Sequence, residues 1–161
     1  MEEKLREYAK LLIEVGLNVQ QGQTVVIRCP VESAYFARLC ASAAYDAGCR
    51  EVIMRWSDDF LERERFLRAD DSVFDSFPAW QAEMLNGCAD EGAAFLNISA
   101  RDPEALLGVS PDRLTRASRS ETAIQPYVNA VMSNVCPWCV ASVPIPSWAK
   151  KVFPDLPEQE A

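Results

Sequence analysis

The chain has 161 residues and a mass of 18.0 kDa, the size of one domain with at most a short extension. Its residues are 49% hydrophobic and 25% charged, which is typical of a folded globular protein and unlike a disordered one. The formal net charge of −8 and the pI near 4.6 argue against nucleic acid and anionic membranes as partners, because both bind basic surfaces.

The amino terminus predicts a helix. Between Glu2 and Val15 the apolar residues are three or four positions apart, which is the spacing of one helix face. This predicted core face consists of Leu5, Tyr8, Leu12 and Val15. Acidic residues in the first turns suit the helix dipole, and Gly16 is placed to end the helix.

A β-α-β unit is predicted next. Residues 24–29 form a β-branched run between a glycine and a proline, which is typical of a buried strand, and residues 51–56 form a second strand pattern. Between them, residues 36–47 have helical spacing and an alanine-rich face, and Gly48 ends this segment. We expect the two strands to be parallel neighbours joined by a right-handed connection.

The rest of the chain continues the alternation of helices and strands. Ser110 is a predicted N-cap followed by a proline, and Pro126 is expected to kink the next helix or divide it in two. The predicted elements are helices over 58–69 and 77–86, a strand over 93–98, a helix over 111–133, a strand over 138–143 and a short helix over 147–152.

This order predicts an α/β fold, a mostly parallel sheet of about four or five strands with helices on both faces. In such folds, ligands bind beyond the carboxyl ends of the strands. The residues that follow the predicted strands are polar or turn-forming, which favours caps and turns over substrate contacts for any one of them. These junctions lie at 28–32, 56–59, 99–102 and 144–146.

The six cysteines favour reduced thiols over disulfides; they are Cys29, Cys40, Cys49, Cys88, Cys136 and Cys139. The first ten residues are charged and lack the apolar segment of a secretory signal, and the chain is larger than disulfide-stabilised miniproteins. Several cysteines lie in apolar periodic segments, where a thiol packs as a small hydrophobic group. A cytoplasmic protein is therefore predicted, with no apolar run of the about 18 residues that span a membrane.

The segment Cys136-Pro137-Trp138-Cys139 resembles the redox pair of glutaredoxin-like proteins, in which a helix N-terminus stabilises the first thiolate. Here a helix is predicted before the motif and a strand after it, so no helix dipole points at Cys139. A thiol oxidoreductase is therefore the less favoured interpretation. A structural zinc site commonly needs two such cysteine pairs. The other four cysteines are isolated in the sequence, so a structural zinc site is not expected.

The chain contains no histidine. Hydrolytic zinc or cobalt sites usually include imidazole ligands, and Ser-His or Cys-His nucleophile systems require one. The pairs Asp58-Asp59 and Asp70-Asp71 could bind Mg²⁺ or act as acid and base, but both lie where helices are predicted to begin, which favours capping. Neither of the two common glycine-rich phosphate-binding motifs, GxGxxG and GxxxxGK(S/T), occurs in the sequence. We therefore predict no catalytic, cofactor-binding or metal-binding residue in this chain.

Several segments share a family pattern along the whole chain, and the most specific is the tract from Trp138 to Pro157. The others are Tyr8-Ala9-Lys10-Leu11-Leu12, Val15-Gly16-Leu17-Asn18-Val19, Gly22-Gln23-Thr24-Val25-Val26-Ile27, Trp56-Ser57-Asp58-Asp59 and Glu91-Gly92-Ala93-Ala94. In these segments the chain resembles the N-terminal domain of the aminopeptidase T and aminopeptidase S family, the thermophilic metalloproteases.

The resemblance implies a cytoplasmic, homodimeric enzyme that uses a divalent metal, zinc or cobalt, to remove N-terminal residues from peptides. It also implies that the metal-binding and catalytic residues belong to a C-terminal domain, and none of those residues maps onto this chain. The parent protein is thus expected to be a hydrolase, whereas this chain alone is expected to be inactive and to bind no metal.

On this basis, residues 1–145 are expected to form the N-terminal α/β domain of a metalloaminopeptidase, contributing dimer contacts and part of an active-site wall. Residues 146–161 are expected to begin the connection to an absent C-terminal catalytic domain, with 156–161 as the start of an acidic helix. The alternative from another functional class is a stand-alone α/β domain that binds itself or a partner through an apolar surface.

Overall fold

The computed structural model describes residues 2–156, which contain a four-stranded, entirely parallel sheet. The strands are β1 (Thr24–Pro30), β2 (Glu51–Ser57), β3 (Ala94–Ile98) and β4 (Trp138–Ala141). Their order across the sheet is β2-β1-β3-β4. The predicted α/β class is confirmed, and so is the parallel pairing of β1 with β2.

The strands are connected mainly by α-helices: α1 (Glu2–Lys10), α2 (Ala34–Asp46), α3 (Asp59–Arg68), α4 (Ala79–Asp90), α5 (Pro111–Ser120), α6 (Gln125–Met132) and α7 (Pro146–Val152). Short 3-10 turns lie at Val31–Ser33, Asp71–Phe74 and Glu121–Ile124. Within residues 2–156, no helix combines the length and the apolarity that crossing a membrane requires. Of the predicted helix start at 156–161, residues 157–161 lie outside the described residues.

The predicted helix over 111–133 is divided in two, as expected. The first part, α5, ends at Ser120, and a 3-10 turn then leads into α6 with Pro126 in its first turn. Ser110 occupies the predicted N-cap position of α5, but its side chain makes no capping hydrogen bond.

Two hydrophobic clusters fill the space above and below the sheet. Alternate residues of a strand point to opposite faces, so Val25 and Ile27 of β1 pack on one side and Val26 on the other. The first cluster joins the sheet to α1 and α2, and Phe36 of α2 is fully buried in it. The second joins the sheet to α4 and α6 through Leu85 and other apolar residues. The sheet is therefore covered by helices on both faces.

The end of the first helix differs from the prediction. Residues Leu11–Gly16 form a π-helical turn, in which the amide of Leu17 donates to the carbonyl of Leu12 at 2.8 Å. The extra residue in this turn shifts the side chains that follow around the helix axis. The predicted core residue Val15 is consequently exposed, whereas Ile13 is fully buried. The last helical residue is Gly16, but the left-handed residue that follows the helix is Asn18, with a φ of 49°, and not Gly16 itself.

A third, smaller cluster lies beside the sheet and joins α3 to α5. The rings of Phe66 and Phe74 stack with their centroids 5.2 Å apart. The guanidinium groups of Arg65 and Arg113 lie 5.0 and 5.2 Å from the Phe74 ring centroid, at the distance of a cation–π contact. This cluster anchors α3, whose first turn contributes to the site described next.

Candidate functional site

Because all four strands are parallel, their carboxyl ends meet at one edge of the sheet, here called the carboxyl edge. The structure places the predicted junctions there: 28–32 spans the end of β1, 56–59 spans the end of β2, 99–102 follows β3 and 144–146 lies just beyond β4. These segments are far apart in the sequence, and the sheet order determines which of them meet.

An ion-pair network links the junctions that follow β2 and β3. The guanidinium of Arg101 donates to Asp59 Oδ1 at 2.9 Å and also binds Glu62. The amide of Asp102 donates to Asp59 Oδ2 at 2.9 Å, so both carboxylate oxygens of Asp59 are occupied. Burial lowers the pKa of Arg101, but its bond to Asp59 and the charge of Glu62 raise it overall. The network therefore ties two connections together rather than exposing free carboxylates to a substrate.

The other acidic residues singled out in the sequence have structural roles. Asp58 is the N-cap of α3 and accepts a hydrogen bond from the amide of Leu61 at 3.0 Å. Asp70 caps the following 3-10 turn by accepting from the amide of Ser72 at 2.9 Å. The predicted capping role is observed at both positions. Asp71 forms an ion pair with Arg113 at 2.6 Å.

The two cysteines of the CxxC segment pack on opposite faces of the sheet. Cys136 is fully buried in the cluster under α4 and α6, where its thiol donates to the carbonyl of Ala89 at 3.3 Å. Cys139 lies in β4 and packs against the cluster under α1 and α2. Burial raises the pKa of both thiols, so neither is held as the reactive thiolate of a redox enzyme. This geometry argues against the thiol oxidoreductase interpretation.

The described residues do not fit a divalent metal. Within residues 2–156 there is no group of three histidine, cysteine, aspartate or glutamate side chains that could hold an ion. Asp59 and Glu62 share the guanidinium of Arg101, which neutralises the negative charge that a cation would need.

A cleft that the sequence interpretation missed lies against the α4 and α6 face of the sheet and has a volume of about 400 Å³. Arg55, Arg28 and Asn97 form a row along it, because Arg28 of β1 is in register with Arg55 of β2 and with Asn97 of β3. The side chains that complete its lining include Phe77, Gln81, Phe95, Ile124 and Tyr127, together with the carboxylate of Glu121. The visible signal was an arginine at the same position of two neighbouring strands. We call this the arginine cleft.

The charges in the arginine cleft influence one another. The pKa of Arg55 is lowered, first by burial and then by the positive charge of Arg28. Burial raises the pKa of Tyr127, while the two arginines act in the opposite direction. The Tyr127 ring is fixed by an edge-on contact with Phe95, with the centroids 4.8 Å apart. The cleft thus combines two positive charges and one carboxylate, that of Glu121, with aromatic walls, so the two arginines outweigh the single negative charge.

Comparison with known proteins gives a consistent result along the whole chain. The model of the thermophilic metalloprotease (M29) family matches residues 1–161. Aminopeptidase 2 of Geobacillus stearothermophilus is 38% identical over an alignment of 161 positions that covers 99% of this chain and 39% of the relative. Aminopeptidase PepS of Streptococcus thermophilus is 40% identical over 159 residues, which are 98% of this chain and 38% of the relative.

A solved structure agrees with the sequence relatives. Wild-type AmpT from Thermus thermophilus superposes with a TM-score of 0.90 at 37% sequence identity. The match covers 99% of this chain and 40% of that structure. The chain therefore spans about two-fifths of the length of the proteins it matches.

Proposed function

Because this chain belongs to the thermophilic metalloprotease (M29) family, we propose that it is the amino-terminal, non-catalytic α/β domain of a metal-dependent aminopeptidase. In the proposed parent enzyme, residues outside this chain hold the divalent metal, zinc or cobalt. The parent removes amino-terminal residues from peptides. This domain supplies structure around a reaction that takes place elsewhere.

One contrast carries the proposal. The chain matches proteins named aminopeptidases over nearly all of its own length, yet it contains no histidine, and residues 2–156 contain no metal-binding cluster. A metal-dependent hydrolase needs three or four ligands, commonly with imidazole among them. A chain of this composition can belong to a metalloprotease family if the metal ligands lie in the three-fifths of the relatives' length that this chain does not match.

We further propose that the parent acts in the cytoplasm as a homodimer and that this domain provides dimer contacts and part of the active-site wall. Exposed apolar side chains support this role. Trp56 at the end of β2 and Phe60 and Leu61 at the start of α3 are 48%, 68% and 61% exposed. Clusters of large apolar side chains that remain exposed are typical of protein interfaces.

The proposal is tested by assaying the purified chain for hydrolysis of leucine p-nitroanilide with added Co²⁺ or Zn²⁺, beside aminopeptidase T of Thermus thermophilus as the active control. We expect no turnover by this chain above the metal-only blank. Metal-dependent turnover by this chain would contradict the non-catalytic assignment. Light scattering on the same sample is expected to give the mass of two chains, and a single-chain mass would remove the dimer-contact role.

A further inference from the structure

The half-buried arginines of the described residues are paired, with one exception. Within residues 2–156, five arginine side chains are half-buried: Arg55, Arg63, Arg101, Arg113 and Arg116. Four of these bind carboxylate or carbonyl oxygens of the protein. Among the described residues, Arg55 alone of the five has neither a hydrogen bond nor an ion pair. A half-buried guanidinium without a partner loses hydrogen bonds to water that no protein group replaces. This loss destabilises the folded state.

Arg28, the neighbour of Arg55, adds to this destabilisation. Arg28 is its register partner on β1 and likewise has no ion pair or hydrogen bond within the described part of the chain. Adjacent strands lie about 4.8 Å apart, and like charges directly opposite each other are destabilising. An anion placed between the two guanidinium groups would relieve both the repulsion and the missing hydrogen bonds.

The rest of the arginine cleft determines the kind of anion. A guanidinium fork matches the planar oxygens of a carboxylate, and Asn97 and Gln81 add amide donors beside it. Phe77, Phe95 and Tyr127 provide aromatic walls against which an apolar body can pack. The volume of about 400 Å³ is within the range of small-molecule sites.

We propose that the arginine cleft binds an organic carboxylate with an apolar or aromatic body. Arg28 and Arg55 hold the carboxylate, and the aromatic side chains contact the body. This binding is separate from the metal-dependent reaction proposed above and requires only this chain.

The probe is N-acetyl-L-phenylalanine, and its neutral amide is the matched control ligand. Titration of the ¹⁵N-labelled chain is expected to give saturable shifts at the backbone amides of Arg28, Arg55 and Asn97, with a Kd below about 1 mM. The amide, which lacks the charge, is expected to bind at least about tenfold more weakly. Inorganic phosphate is a third ligand and tests whether charge alone is sufficient.

The variant Arg55→Gln is expected to weaken binding of the acid by about ten- to hundredfold, because a charged hydrogen-bond donor is lost. Arg38→Gln changes an exposed arginine of α2, on the opposite face of the sheet, and is expected to leave binding unchanged. Arg55→Gln is also expected to unfold at the same temperature as the wild type or higher, because it removes like-charge repulsion. A purely structural role for Arg55 would lower that temperature.

Three results would overturn the proposal. The first is equal binding of the acid and its amide, and the second is no saturation by the acid up to about 10 mM. The third is phosphate binding as tightly as the acid, because the cleft would then recognise charge without the organic body.

Discussion

Replacing Phe36 with alanine is expected to lower the free energy of unfolding by about 3–5 kcal/mol. The Phe36 side chain is fully buried between α2 and the sheet, and its ring stacks on Tyr8 with the centroids 5.3 Å apart. Alanine would leave a cavity where α1, α2 and the sheet meet. Guanidinium chloride unfolding followed by circular dichroism measures the change. Most single domains have only about 5–15 kcal/mol of stability, so this one substitution removes a large fraction of it.

Two further variants make the Phe36 result interpretable. Tyr35→Ala changes the adjacent exposed residue of the same helix and is expected to cost less than about 1 kcal/mol. Phe36→Leu keeps most of the buried volume and is expected to lie between the wild type and the alanine variant, so a measurement remains possible if Phe36→Ala does not fold. Equal losses for Tyr35→Ala and Phe36→Ala would contradict the packing of α2 described above.

Replacing Arg101 with alanine is expected to lower the free energy of unfolding by about 1–3 kcal/mol. Asp59, whose side chain is only 16% exposed, and Glu62 would both lose their cationic partner. The effect stays below that of a fully buried pair, because the Arg101 side chain is 37% exposed and solvent screens its charge. Urea unfolding of the variant measures the loss.

The control for Arg101 is Arg68→Ala in α3, the helix that carries Asp59 and Glu62, the partners of Arg101. Arg68 pairs with Glu64 at 2.9 Å, but its side chain is 79% exposed. Exposed pairs of this kind contribute little, and a change of less than about 0.5 kcal/mol is expected. If the two variants were equally stable, the network at the carboxyl edge would be a surface ion pair without a structural role.

Much of the fold could be predicted from local patterns. Strands β1 and β3 are buried on both faces, so they appear as short apolar runs bounded by glycine or proline, and each was located to within two residues. The helix over 36–47 was located because its apolar spacing continues up to Gly48, which has the expected positive φ of 85°. Such signals depend on neighbouring residues and need no knowledge of the tertiary structure.

The parts that could not be predicted depend on long-range geometry. The contact of Arg101 with Asp59 joins residues 42 positions apart and exists because β1 and its flanking strands form the order β2-β1-β3. The arginine cleft requires the register between strands, which no local pattern reveals. The π-helical turn after α1 was missed because a single extra residue changes the exposed face without changing the amino-acid pattern. The domain boundary at residue 145 stays a prediction.

The most direct test of the claim that the metal is held outside this chain is metal retention. The reduced, purified chain is dialysed against a small molar excess of Zn²⁺ or Co²⁺, then against metal-free buffer, and its metal content is measured. Retention of far less than one ion per chain is predicted, because the described residues provide no three-ligand cluster. One ion retained per chain and lost in the variant Asp59→Asn would contradict the claim.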